Sequence, residues 1–132
     1  MGVFNDPVKA SLLKTLDAAA LRQKVIADNI ANADTPGFKK TVVHFEDALA
    51  QALGGHSLPL KTTDPRHIGA NLAGAQPRTE RVTTTSLRTD GNNVDVEEEM
   101  MNMVTNTITY RSATQFLSGK YAKLRYVISG GR

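Results

Sequence analysis

The sequence predicts a mainly α fold, in which long N- and C-terminal helices pack as a coiled-coil-like pair around an irregular or partly extended middle segment. Three observations carry this expectation. An apolar stripe of helical period runs through each end of the chain, and three of the five prolines fall within residues 40–92, between the two. The core material is aliphatic: 40% of the 132 residues are hydrophobic, but only 5% are aromatic and tryptophan is absent. Leu, Ile, Val, Met and Ala suit helix-on-helix contacts better than an aromatic-lined ligand pocket.

The first zone spans residues 1–39, and its helix starts near Pro7. Proline is tolerated at a first helical position, where its missing N–H has no partner to lose. Leu12, Leu16, Ala19, Gln23, Ile26 and Ile30 follow at alternating spacings of four and three, a heptad-like stripe. The helix should end near Asn32 or Ala33. Pro36 disfavours helical geometry at Thr35, and Pro36-Gly37 fits the centre of a type II turn, with Gly37 supplying the positive φ.

The second zone, residues 40–92, is expected to be an irregular segment, a connector either flexible or loosely folded. Phe38 to Phe45 reads as extended or irregular chain, Glu46 to Leu53 as a short helix, and Arg81 to Leu87 as Thr-rich extended chain.

The third zone, residues 93–132, predicts a single helix of about 35 residues, ~52 Å long against ~39 Å for the first. Val96, Met100, Met103, Thr107, Tyr110, Thr114, Leu117, Tyr121, Leu124 and Ile128 keep the four–three alternation, and Met101, Val104 and Ile108 widen it. Asn92 or Asn93 is expected to cap its start. Asp95, Glu97, Glu98 and Glu99 complement the positive end of the helix dipole, and Lys120, Lys123 and Arg125 the negative end. Gly130-Gly131 should stop it. A two-helix pair leaves apolar surface uncovered, so association with other chains follows, and the terminal helices should gain order on assembly.

Several function classes find no support. With no cysteine there is no disulfide, thiol nucleophile or cysteine-ligated metal. His44, His56 and His67 match no metal-ligand spacing, and Asp64 beside His67 reads as a solvated loop. Nucleophile-elbow and phosphate-loop patterns are absent, and Glu97 to Glu99 are first-turn helix charges. No catalytic residue, metal, cofactor or small-molecule ligand is expected. The net charge of +3 is scattered, without the basic face and stacking aromatics of a nucleic-acid binder. A basic helical binding module is the alternative reading, and steeply salt-dependent DNA affinity would mark it. No apolar run is long enough to span a membrane, and no basic start followed by an apolar stretch marks a cleaved secretory signal.

The stretch from Ala27 to Lys39, with Asn29-Ile30-Ala31-Asn32-Ala33-Asp34-Thr35-Pro36-Gly37-Phe38 at its heart, closely resembles the N-terminal signature of flagellar rod and hook proteins. Asp90 to Met100 resembles the start of that family's C-terminal helix. The chain length, and the direct passage from Ala33-Asp34 into Thr35-Pro36-Gly37, resemble the proximal-rod members. The resemblance implies a structural subunit of the bacterial flagellar basal body, exported by the flagellum-specific type III apparatus and polymerised in the periplasm on the inner-membrane ring and its rod adaptor. Its partners would be other copies of itself and other rod proteins. Leu12, Leu16, Ile26, Ile30 and Val96 to Ile128 would form the assembly surface, including Met100, Met103, Val104, Ile108, Tyr110, Leu117, Tyr121 and Leu124. Asn29 and Asn32 would hydrogen-bond across subunits. Phe4 and Val8 resemble the short export-recognition element of such subunits.

Overall fold

The computed structural model describes residues 6–53 and 75–130. Helix α1 spans Pro7–Ala31, strand β1 Thr41–His44, helix α2 Glu46–Ala52, strand β2 Arg78–Arg81 and helix α3 Val96–Ile128. The mainly α architecture with paired terminal helices is as the sequence predicts.

Local chemistry sets each boundary. The Asp6 carboxylate accepts from the Val8 N–H at 2.9 Å and caps α1. The helix ends at Asn32, whose N–H is shared among carbonyls of the last turn. Thr35 to Phe38 then close a turn through Phe38 N–H to Thr35 C=O, with Gly37 at φ 71°, as the type II geometry requires. At the far end Gly130 adopts φ 71° and stops α3. The start of α3 differs from expectation. Asp95, not Asn92 or Asn93, is the cap, accepting from Glu97 and Glu98 N–H at 2.9 and 3.2 Å. A carboxylate directly before the first turn outcompetes asparagines further upstream, which are held elsewhere.

The two helices run antiparallel. Asn29 of α1 meets Glu99 near the start of α3, Ala19 and Gln23 meet Asn106, and Asp6 pairs with Lys120. Beyond Lys120, α3 continues for about 12 Å past the start of α1. The facing stripe of α1 is close to that predicted, with Ala19 and Ile26 buried. The stripe of α3 is not. Its inward face carries Glu99, Asn106, Ala113 and Lys120 at a strict seven-residue spacing, interleaved with Met103, Leu117 and Leu124. Val96, Met100, Val104, Ile108, Tyr110, Tyr121 and Ile128 are exposed instead. Polar groups occupy the seam because each meets a partner on α1, so a hydropathy pattern passes over them.

The middle segment adds a two-stranded antiparallel sheet in which Thr41 faces Arg81 and His44 faces Arg78. β1 lies against α1, and Phe45, 3% exposed, is buried with Ala18 and Ala75 in a small core flanked by Leu49 and Ala52 of α2. The Arg22 guanidinium donates to Val43 C=O at 3.3 Å and to Glu46 at 2.7 Å, tying α1 to this unit. The second strand falls at Arg78–Arg81, just before the Thr-rich stretch expected to be extended. All four of its residues are exposed, so pairing with β1 and not an alternating pattern of its own defines it.

Candidate functional site

The two sequence segments that carry the family resemblance meet in space, through two asparagines. Asn92 is fully buried, and its Nδ2 lies 2.9–3.0 Å from the carbonyls of Asn32, Ala33 and Thr35, sharing its two hydrogens among them. Its Oδ1 accepts from Val94 N–H at 2.7 Å. One side chain thereby satisfies the exposed end of α1 and fixes the chain entering α3. Gly37 N–H donates to Asp90 C=O at 3.0 Å, and Arg88 donates to Ala33 C=O and the Asp34 carboxylate. Gly91, at φ 86°, lies against Gly37, and a Cβ there would stand 3.7 Å from the Gly37 Cα.

Asn93, 1% exposed, does the same for the sheet. Its Oδ1 accepts from Lys40 N–H at 2.6 Å, and its Nδ2 donates to Val82 C=O and Thr85 Oγ1. Asn29, equally buried, pairs its amide with the backbone of Thr41: Oδ1 accepts from the N–H at 2.9 Å and Nδ2 donates to the C=O at 2.8 Å. The same Nδ2 reaches the Glu99 carboxylate at 3.1 Å. Ile26 and Asn29, expected on the subunit surface, are therefore spent inside the subunit. Asn32 turns its amide back to the Asp28 C=O at 2.8 Å, ending the helix.

Glu99 is 2% exposed. Burial pushes its carboxyl above the ordinary value of 4.5, against the Asn29 hydrogen bond and the Lys40 charge, while Glu98 and Asp95 add to the rise. A raised folded value means that protonation favours the fold. The contribution is complete below pH 4.5 and lost as pH rises through the folded value. Glu99→Gln keeps an oxygen for Asn29 and removes the buried charge. It is expected to raise the melting temperature at pH 7 by a few degrees, with the gain shrinking towards pH 4. Thermal denaturation at both pH values checks this, and an equal gain at both would contradict it. Asp6 has the opposite sign: the Lys120 hydrogen bond holds its carboxyl below 3.8, so its contribution is lost as pH falls.

The outer surface of α3 is a second feature. At 3.6 residues per turn, Met100, Met101, Val104 and Ile108 lie on the side opposite Asn106 and Ala113. They are 56–67% exposed. The helix thus has an apolar face on the side away from its partner, too contiguous for scattered surface leucines.

Of the other residues singled out, Thr35, Pro36 and Gly37 form the turn that receives Asp90 to Asn92. Val8 is exposed on the first turn of α1, while Phe4 lies outside the described residues. His44 pairs with Glu80 across the strands at 3.1 Å. His56, Asp64 and His67 lie outside the described residues. Among the described residues, no three His, Cys, Asp or Glu converge on a common point, and no helix is long and apolar enough to cross a membrane. Asn92 and Asn93 were legible only as helix caps. Their signal is the Asp at position 95, which already fills the cap and leaves the two amides for another role.

The family described as Flagella basal body rod protein matches residues 11–39, from α1 through the Pro36-Gly37 turn. Over its whole length the chain is similar to the flagellar basal body rod protein FlgB of Bacillus subtilis, at 34% identity with 100% of both chains covered. It is 35% identical to the protein of the same description from Borrelia hermsii, covering 86% of this chain and 89% of that one. With the corresponding protein of Buchnera aphidicola it shares 31% identity over 89% of this chain and 90% of that one.

Proposed function

The chain belongs to the flagellar basal body rod protein family, and on that premise we propose that it polymerises through its terminal helices into the axial tube of the rod. It is a structural subunit of the flagellum, and the tube it builds transmits motor torque and is required for flagellum assembly and motility. The observation that carries this reading is the double-sided α3. One face, through Glu99, Asn106, Ala113 and Lys120, holds the subunit together. The opposite face presents Met100, Val104 and Ile108 to solvent with no partner among the described residues. Heterologous contacts through such a face extend without closing.

The residues free to act between subunits are the exposed Val96, Met100, Val104, Ile108, Tyr110, Tyr121 and Ile128. Half-buried Leu12, Leu16, Ile30, Met103, Leu117 and Leu124 contribute edges of the helix pair. The chain works without catalysis: the asparagines of the junction are spent on backbone groups, the Thr85 hydroxyl and the Glu99 carboxylate of the same chain. Its partners are further copies, other rod proteins, and the inner-membrane ring with its adaptor. The flagellar type III apparatus exports it, with the Phe4–Val8 element read at the leading end.

Electron microscopy of basal bodies from a strain lacking the gene tests this. Intact membrane rings without rods, with rods and motility restored by the wild-type chain, are expected. Complete, motile flagella in the deletion strain would contradict the assignment.

A further inference from the structure

The outer face of α3 divides into two halves of opposite character. The first half is large, apolar and headed by an acid: Glu97, Met101, Val104 and Ile108 recur at spacings of four, three and four. The second half repeats that spacing with a base and smaller groups: Arg111, Gln115, Ser118 and Ala122. Shallow grooves run along this second half, one at Arg111, Gln115, Ser118 and Gly119, the next at Ser118, Ala122 and Tyr126. All eight residues of the repeat are exposed. Among the described residues, neither the Glu97 nor the Arg111 side chain has a partner.

From this we propose that the occupant of the face is a second copy of the chain, docked in parallel and displaced along α3 by about 14 residues, or ~21 Å. That offset is close to four helical turns, so both halves stay on the same side of the helix. It sets Glu97 of one copy against Arg111 of the next. Met101, Val104 and Ile108 then enter the grooves around Gln115, Ser118 and Ala122. The complementarity lies between two halves of one helix, which is why a second copy and not an unrelated protein satisfies it. An antiparallel, self-paired contact centred on the same face would leave the Arg111 side chains of the two copies about one turn apart, like charges near the centre of the interface, with Glu97 set against Ala122 and not against a base. The parallel contact has no such conflict. It leaves a free half at each end, so it propagates. The inference rests on the rod-subunit reading and adds the register.

The chain has no cysteine, so engineered pairs report cleanly. In basal bodies oxidised after isolation, Ile108→Cys with Ala122→Cys is expected to give a ladder of cross-linked chains, and neither single variant any cross-link. Dimers from Ile108→Cys alone overturn the proposal. So does a double variant that is present in basal bodies but not cross-linked, an outcome that leaves the rod-subunit reading standing. Absence of the wild-type chain from basal bodies would instead sink that reading, and the proposal with it. Charge reversal gives an independent measurement. Glu97→Arg and Arg111→Glu are each expected to abolish swimming, and the two together to restore it. A combined variant as immotile as either single one, with each chain folded by circular dichroism, overturns the register.

Discussion

Asn92→Asp is expected to destabilise the subunit more than Asn92→Ala, although aspartate is nearly the same size and shape. Alanine removes the amide that serves three carbonyls at the end of α1 and the oxygen that receives Val94 N–H. Leaving such groups unserved in a buried site costs about 2–3 kcal/mol in all. For a chain of this size that lowers the melting temperature by roughly 8–12 °C. Aspartate keeps the acceptor for Val94 but turns an anionic oxygen towards three carbonyl oxygens, with no water to screen it. At pH 7 it should fall below alanine. Its own carboxyl would be pushed up, so stability is regained as pH falls and the group protonates. Thermal denaturation of the three chains at pH 7 and pH 4 checks this. An aspartate variant as stable as wild type at pH 7 would mean that the amide donates nothing of consequence.

Val104→Asp combined with Ile108→Asp should have the largest effect on function and little on folding. Both side chains are mostly exposed, 56% and 60%, and point away from α1. Substitutions at such positions change subunit stability by roughly 0.5 kcal/mol or less. In an assembled rod the same two side chains would each contribute on the order of 1.5–3 kcal/mol by burial, at every contact along the tube. Two carboxylates remove that and add a desolvation cost. Normal monomer melting with no rods and no swimming is expected, scored by circular dichroism, basal-body microscopy and swim plates. Ala113→Asp provides the contrast. At 4% exposed on the inner face, it should unfold the helix pair before assembly is reached. Motile cells carrying the double variant would remove the outer face from the mechanism.

What the sequence made legible was local. The Pro7 start, the end at Asn32, the Pro36-Gly37 turn and the stop at Gly130 follow from proline, glycine and asparagine acting on their own neighbours. The span of α3 and the charges at its two ends are local as well. The facing of α3 was not, because it depends on α1. Glu99, Asn106 and Lys120 look like solvent-facing residues until Asn29, Gln23 and Asp6 are set opposite them. The apolar alternation through Val96, Met100 and Tyr110 therefore traced a seam offset from the real one, sharing only Met103, Leu117 and Leu124 with it. The asparagine junction was hidden for the same reason. Each amide donates to backbone between 11 and 60 residues away, and no local pattern encodes such a partner. A single polar position in a helix seam fixes register more than it adds stability, and Asn106 has the geometry for that: its Nδ2 holds Ala19 C=O and the Gln23 side chain at 2.9 Å, while its buried Oδ1 has no partner among the described residues.

The division of α3 into a face for the subunit and a face for the rod is tested most directly by the solvent access of one side chain. A chain with Ile108→Cys as its only thiol would be labelled with a maleimide, once as free subunit and once within isolated basal bodies. Fast labelling of the free subunit and strong protection in the basal body are expected. Equally fast labelling in both would contradict the proposed interface, and protection in the free subunit would mean that this face is already covered within the chain.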